Sequence, residues 1–166
     1  LMSLGLYLHI PYCFSKCRYC DFYSAPGQRG VPRAYVDALL RELSRFAPDA
    51  PLRPDTLYFG GGTPSLLDPA DAARLIAAAQ PLPGAEITLE ANPETVPEDS
   101  LRAFREAGVN RISFGVQSAR DSQLKTLGRP HTAKQARAAF AAARRAGFKN
   151  ISGDIMLALP HYTQAE

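Results

Sequence analysis

Five short runs, Leu6 to Ile10, Thr56 to Gly60, Glu86 to Glu90, Arg111 to Gln117 and Ile151 to Leu159, read as strands, and in each the Leu, Ile, Val and Phe side chains fall on one parity only. Leu6, Leu8 and Ile10 oppose Tyr7 and His9; Leu57 and Phe59 oppose Tyr58 and Gly60; Ile87 and Leu89 oppose Thr88 and Glu90. Ile112, Phe114 and Val116 oppose Ser113, Gly115 and Gln117, and Ile155 and Leu157 oppose Asp154, Met156 and Ala158. Helical patterns separate the runs. Val36, Leu39, Leu40, Leu43 and Phe46 recur at helical spacing, as do Leu75, Ile76 and Ala79. A third helix carries Leu101 and Phe104 and ends at Gly108; a short turn spans Asp121 to Leu127; a fourth helix starts at a Thr132/Gln135 capping box and stops near Gly147.

Strand, crossover helix, strand, repeated, predicts an α/β fold with a parallel sheet. A doubly wound sheet buries both faces and reads as continuous apolar strands, which these are not. One face takes helices and the other gathers polar groups toward a lumen, the behaviour of a barrel with its working residues at the carboxyl ends of the strands. About five strands with helical crossovers do not close a barrel, so the fold expected is a partial (β/α) barrel. Residues 1–166 are read as the N-terminal part of a longer core domain, with a C-terminal domain outside this sequence.

The chain's three cysteines, Cys13, Cys17 and Cys20, lie together just after the first strand. That spacing can hold three irons of one cube and leave the fourth without a protein ligand, open to cofactor or substrate. Zinc with His9 or His131 as fourth ligand is an alternative, although structural zinc sites usually pair two C-x2-C knuckles and only one is present. Three structural thiols are a further alternative, set against Lys16, Arg18 and Asp21 in the same exposed segment. An odd number of cysteines with no apolar leader argues against a disulfide framework and for a reducing cytoplasm. A net charge of +3 with no basic run longer than Arg144-Arg145 gives no support to nucleic-acid binding. No run approaches the ~20 apolar residues of a transmembrane segment.

Further motifs follow in order: Gly60-Gly61-Gly62-Thr63-Pro64-Ser65, Glu90-Ala91-Asn92-Pro93, Ser113 through Ser118, Leu127-Gly128-Arg129-Pro130-His131 and Asp154 through Pro160. With Tyr7-Leu8-His9-Ile10-Pro11-Tyr12-Cys13 and the cysteine run, this order resembles the radical S-adenosylmethionine (SAM) proteins, in the branch of oxygen-independent coproporphyrinogen III oxidases and HemW-type haem chaperones. The resemblance covers nearly the whole chain. It implies a partial radical SAM barrel with a [4Fe-4S] cluster on Cys13, Cys17 and Cys20 whose open iron chelates the methionine part of SAM. Reductive cleavage of SAM then gives methionine and a 5'-deoxyadenosyl radical.

Gly60, Gly61 and Gly62, without β-carbons, let backbone groups approach the methionine end of SAM closely, with a simple tight turn as the alternative. Under the same resemblance Gly61, Gly62 and Thr63 are cofactor-binding and Glu90 contacts SAM, with a structural ion pair as the alternative for Glu90. Gln117 and Asp154 suit ribose or amino groups, and Arg129 can reach a carboxylate. Tyr7 and Tyr19 flank the cluster motif near SAM, or simply pack. His9 on the lumen face is a core histidine or a functional one. Haem or porphyrin, an electron donor and a haem-accepting protein are the partners implied. Oxidases of this branch carry a cysteine two positions after the third cluster ligand; Phe22 stands there, as in the haem chaperone subgroup. The alternatives are a coproporphyrinogen III dehydrogenase that decarboxylates propionates, and a non-catalytic haem-transfer module using cluster and SAM for regulation or dimerisation.

Overall fold

In the computed structural model, which describes residues 3–46, 49–159 and 162, the strands are β1 (Gly5–Ile10), β2 (Thr56–Gly61), β3 (Glu86–Ala91), β4 (Arg111–Gln117) and β5 (Asn150–Ile155). They form one parallel sheet in the order β1-β2-β3-β4-β5. Because right-handed crossovers that always advance in one direction return over the same face, this order puts the connecting helices on one side. The helices are α1 (Arg33–Phe46), α2 (Pro69–Ala79), α3 (Glu98–Glu106), α4 (Asp121–Leu127) and α5 (Ala133–Arg145).

Leu8, Ile10, Leu57, Phe59, Leu89, Ile112 and Phe114 turn from the sheet into the core, where they join Val36, Leu43, Leu75, Leu101, Phe104 and Ala143 from the helices. Each fully buried Leu, Ile or Phe contributes about 1.5–3 kcal/mol through removal of apolar surface from water. Local signals set the helix ends. The Asp68 carboxylate accepts from Ala70 N at 2.8 Å ahead of Pro69 in α2. Thr132 and Gln135 exchange both capping-box bonds at the start of α5. Gly108, at φ 112°, takes the left-handed conformation that ends α3.

The opposite face is polar, and its lower part is satisfied within itself. Arg111 donates from Nη1 to Thr88 Oγ1 at 3.2 Å and from Nη2 to Ser152 Oγ at 2.9 Å, and Ser152 donates to Ser113 Oγ at 2.9 Å. Thr88 and Ser113 are buried, so this layer forms a floor beneath the strand ends.

Three expectations are corrected. Phe46, placed in the apolar stripe of the first helix, is 77% exposed, because it ends α1 beyond the reach of the sheet. The fifth strand stops at Ile155 and does not continue to Leu159. Its register with β4 is broken between Gly115 and Gln117, Met156 N makes one further bond to Gln117 O at 3.0 Å, and Ala158 turns left-handed at φ 56°. Ile155 and Leu157, expected on the helix-facing parity, are 65% and 84% exposed. Pro160 and His161 lie outside the described residues.

Candidate functional site

The cysteine segment leaves β1 and is tied into the strand ends by its backbone. Cys13 N donates to Ala25 O at 3.0 Å, Ala25 N to Pro11 O at 2.6 Å and Gln28 N to Cys13 O at 2.9 Å, closing the loop on itself. Beyond β2, Gly62 N donates to Ile10 O and Thr63 N to Tyr12 O, both at 2.8 Å, so the glycine run continues the sheet bonding against the loop. On the other side Arg18 N donates to Leu127 O at 3.1 Å, and Gly128, left-handed at φ 73°, leaves room for the Arg18 backbone and side chain. The same turn sends Arg129 inward.

The glycines make room for protein groups. A β-carbon on Gly62 would stand 2.7 Å from Tyr12 O and 2.9 Å from Cys13 Sγ. One on Gly61, at φ 119°, would stand 2.6 Å from the His9 ring, and one on Gly60 2.7 Å from the Tyr7 ring. Side chains of β1 stand in this space at Gly60 and Gly61, and the Tyr12 carbonyl and Cys13 thiol stand in it at Gly62.

Cys13, Cys17 and Cys20 are free thiols and line one cavity together with Tyr19, Gly61, Gly62, Thr63, Glu90, Gln117, Arg129 and Asp154. Every residue expected to hold the cluster or SAM therefore lines that cavity except Tyr7, and His9 and His131 lie outside it. Tyr7 stands one residue back, stacked on Tyr58 with ring centroids 6.0 Å apart. Tyr58 Oη donates to Glu90 Oε1 at 2.7 Å and Gly61 N donates to Glu90 Oε2 at 3.1 Å. Burial, then the bond to Glu90 and its charge, push the Tyr58 hydroxyl well above the ordinary phenol range, so it stays a donor. Glu90 is thus a carboxylate held in place by a hydroxyl and a backbone amide, and no cation pairs with it among the described residues. Burial also pushes Tyr19 up to about 12, against the lowering influence of Arg129.

Arg129 is the most heavily engaged side chain. Its Nη1 donates to Cys17 Sγ at 3.4 Å, and its Nη2 donates to Asn92 Oδ1 and Gly115 O, each at 2.6 Å, while Nε is buried without a partner. Burial works against its charge, but the bond to Cys17 and the neighbouring Tyr19 and Cys17 outweigh it and hold the guanidinium above its usual range.

Gln117 closes the other side of the cavity with a backbone rarely seen outside glycine, at φ 65°. Ser118 N donates to Val116 O at 2.8 Å across it, a left-handed γ-turn of the strained kind. Val116 O also faces His131 Nε2 at 3.1 Å, and a carbonyl can only accept, so Nε2 carries the hydrogen. His131 is fully buried with Nδ1 3.2 Å from Glu94 Oε2 but not aligned for a hydrogen bond.

The two histidines considered as zinc ligands are engaged elsewhere. His9 Nε2 meets Tyr23 O and its Nδ1 meets Tyr7 Oη, both at 3.1 Å. Among the described residues no three His, Cys, Asp or Glu side chains group closely enough to hold a single metal ion. A cube carried by three separated thiolates does not require that convergence, and the buried, unpartnered Arg129 Nε and the unpaired Glu90 carboxylate suit a zwitterionic ligand. The residues present fit a cluster with SAM beside it. Sequence reasoning missed Tyr58 and Asn92. Tyr58 was visible only as lumen parity, and Asn92 as part of a motif without a role.

A family model described as the radical SAM superfamily matches residues 7–166. The heme chaperone HemW of Escherichia coli (strain K12) is 44% identical over 172 residues, covering 100% of this chain and 46% of that protein. The bovine radical S-adenosyl methionine domain-containing protein 1, mitochondrial, is 41% identical over 166 residues, covering 94% of this chain and 36% of that protein. Among solved structures, the radical SAM coproporphyrinogen III oxidase (HemN) of Escherichia coli superposes with a TM-score of 0.85 at 32% identity, over 97% of this chain and 38% of that one. The chain spans less than half the length of these relatives.

Proposed function

This chain belongs to the radical SAM superfamily, and from that premise we propose that it is the cofactor-binding part of a haem chaperone of the HemW type. The family implies a [4Fe-4S] cluster and SAM. The observation that carries the reading is the meeting, in one cavity, of three cysteines from one loop with Glu90, Gln117 and Asp154 from the ends of three strands. In this reading Cys13, Cys17 and Cys20 hold the cluster, which when bound supplies the electron that cleaves SAM. Glu90, fixed by Tyr58 and Gly61, would accept from the amino group of SAM. The free Nε of Arg129 donates to the carboxylate, and Gln117 and Asp154 take the ribose hydroxyls. Tyr19 shields the thiols and offers a neutral hydroxyl. Tyr7 acts through the Tyr58 stack and not by contact. Gly62 and Thr63 hold the cysteine loop against β2.

Residues 1–166 form, on this reading, the N-terminal part of the core domain, and haem, an electron donor and a haem-accepting protein are partners of the longer protein. Among the described residues no helix is long and apolar enough to cross a membrane. A reducing compartment, the cytoplasm in bacteria, suits three free thiols. Phe22 favours the chaperone over the oxidase. It sits at the cavity edge, 68% exposed, where the oxidases of this branch carry a thiol, and a phenyl ring neither ligates metal nor carries a proton.

The test is anaerobic loading followed by a porphyrin assay. Reconstitution is expected to give ~4 iron per chain, lost on Cys→Ala at position 13, 17 or 20. The longer protein, with SAM and reductant, is expected to bind haem and leave coproporphyrinogen III intact. Zinc uptake without iron would overturn the cluster, and a decarboxylated porphyrin would put the oxidase in the chaperone's place.

A further inference from the structure

Three side chains that do not ligate metal join two of the cysteines. Arg129 has donors only, so the atom of Asn92 facing it at 2.6 Å must be Oδ1, and the orientation of the amide follows. Asn92 Nδ2 then donates to Thr63 Oγ1 at 3.1 Å. With that lone pair used, the one hydroxyl hydrogen of Thr63 is directed at Cys13 Sγ, 3.5 Å away. Arg129 Nη1 reaches Cys17 Sγ directly at 3.4 Å. All the donors in this relay therefore point the same way, from the part-buried Arg129 guanidinium toward sulfur, and the path ends on Cys13 and Cys17. No side-chain donor reaches Cys20 Sγ among the described residues. Thr63 and Cys13 are 2% and 7% exposed, so the terminal bond lies out of water, where its strength is greatest.

We propose that Thr63 and Arg129, which donate to the Cys13 and Cys17 sulfurs, set the reduction potential of the cluster, with Asn92 holding the Thr63 hydroxyl in place. The inference rests on the cluster reading above. Reduction adds one negative charge to the cluster, and part of it resides on the cysteine sulfurs. Donors aimed at those sulfurs stabilise the reduced form more than the oxidised one and raise the potential. Asn92 is a positioning residue in this scheme. Both polar ends of its amide are committed, one to Arg129 and one to Thr63, and it acts on Cys13 only through the Thr63 hydroxyl. The asymmetry is specific: two corners of the cube receive donors and the Cys20 corner does not.

The experiment is a redox titration of the cluster-loaded protein followed by electron paramagnetic resonance, with iron content measured on each variant. Thr63→Val removes the hydroxyl at nearly constant volume and is expected to lower the reduced-to-oxidised ratio at fixed poise by about tenfold, which is about 59 mV for a one-electron couple. Asn92→Ala is expected to shift it the same way by less. The double variant should match Thr63→Val alone, since Asn92 works through Thr63, and Thr63→Ser should restore the wild-type potential. Wild-type potential in an iron-replete Thr63→Val protein overturns the inference and leaves the cluster reading standing. Failure of the wild type to load iron overturns the cluster reading and the inference with it. Should Thr63→Val lose iron, Asn92→Ala decides. Loss of iron in both variants also overturns the proposal, because the chain then builds the site and does not tune it.

Discussion

Gly62 is the residue at which the site has least freedom. The atoms that a β-carbon would strike, Tyr12 O at 2.7 Å, Cys13 Sγ at 2.9 Å and Pro11 C at 3.0 Å, are backbone or the cysteine itself, and none can swing aside. Gly62→Ala is expected to cost about 1–3 kcal/mol in thermal unfolding and to reduce iron loading, because the clash is relieved only by moving Cys13. Gly30→Ala, whose nearest atom is Leu66 O at 3.9 Å, should leave iron content unchanged; equal losses in both variants would show that the Gly62 contact is not special. The cysteines and the glycine run were legible in the sequence as residue types and spacings. What the glycines pack against was not, because Tyr7, His9, Tyr12 and Cys13 lie some 50 residues earlier and are adjacent only after β1 and β2 pair. The partner of Glu90 was hidden in the same way. Tyr58 and Glu90 are neighbours across β2 and β3, a contact that sheet register creates and sequence distance conceals.

At the scale of elements, alternation of parity carried most of the information. It placed Glu90, Gln117 and Asp154 on one face before any coordinates, and all three reach the cavity. It failed at the end of β4, where Gln117 adopts φ 65° and the ladder to β5 slips. Nothing local marks that slip: the turn is held by His131 to Val116 O and by Met156 N to Gln117 O, both long-range bonds. Gln117→Ala and Asp154→Ala are each expected to weaken SAM binding about tenfold, the loss of one hydrogen bond, with iron content near wild type because neither residue lies in the cysteine loop. Calorimetry on the cluster-loaded longer protein is the measurement, and unchanged affinity in both variants would remove these residues from the proposed SAM site.

For the whole molecule the open side of the sheet is β5. Among the described residues it pairs only with β4, so its other edge presents unpaired amides and carbonyls. Beside that edge Ile155 and Leu157 are 65% and 84% exposed, and an apolar groove runs along Val116, Ala136, Phe140 and Gly153. The relatives are more than twice as long as this chain, and a further strand and helix laid on β5 would cover both edge and groove. The sheet is thus assembled far enough to build the cavity floor and to gather the site residues, while its β5 edge stays open among the described residues. An exposed apolar edge strand is a template for pairing with another molecule. The 166-residue chain, prepared alone, is therefore expected to self-associate in a concentration-dependent way in sedimentation velocity, and Ile155→Lys with Leu157→Lys should shift it toward monomer by adding charge at that edge. A monodisperse monomer with a single cooperative thermal transition would mean that β5 is capped well enough by its own α5 and the segment after Ile155 and needs no further strand.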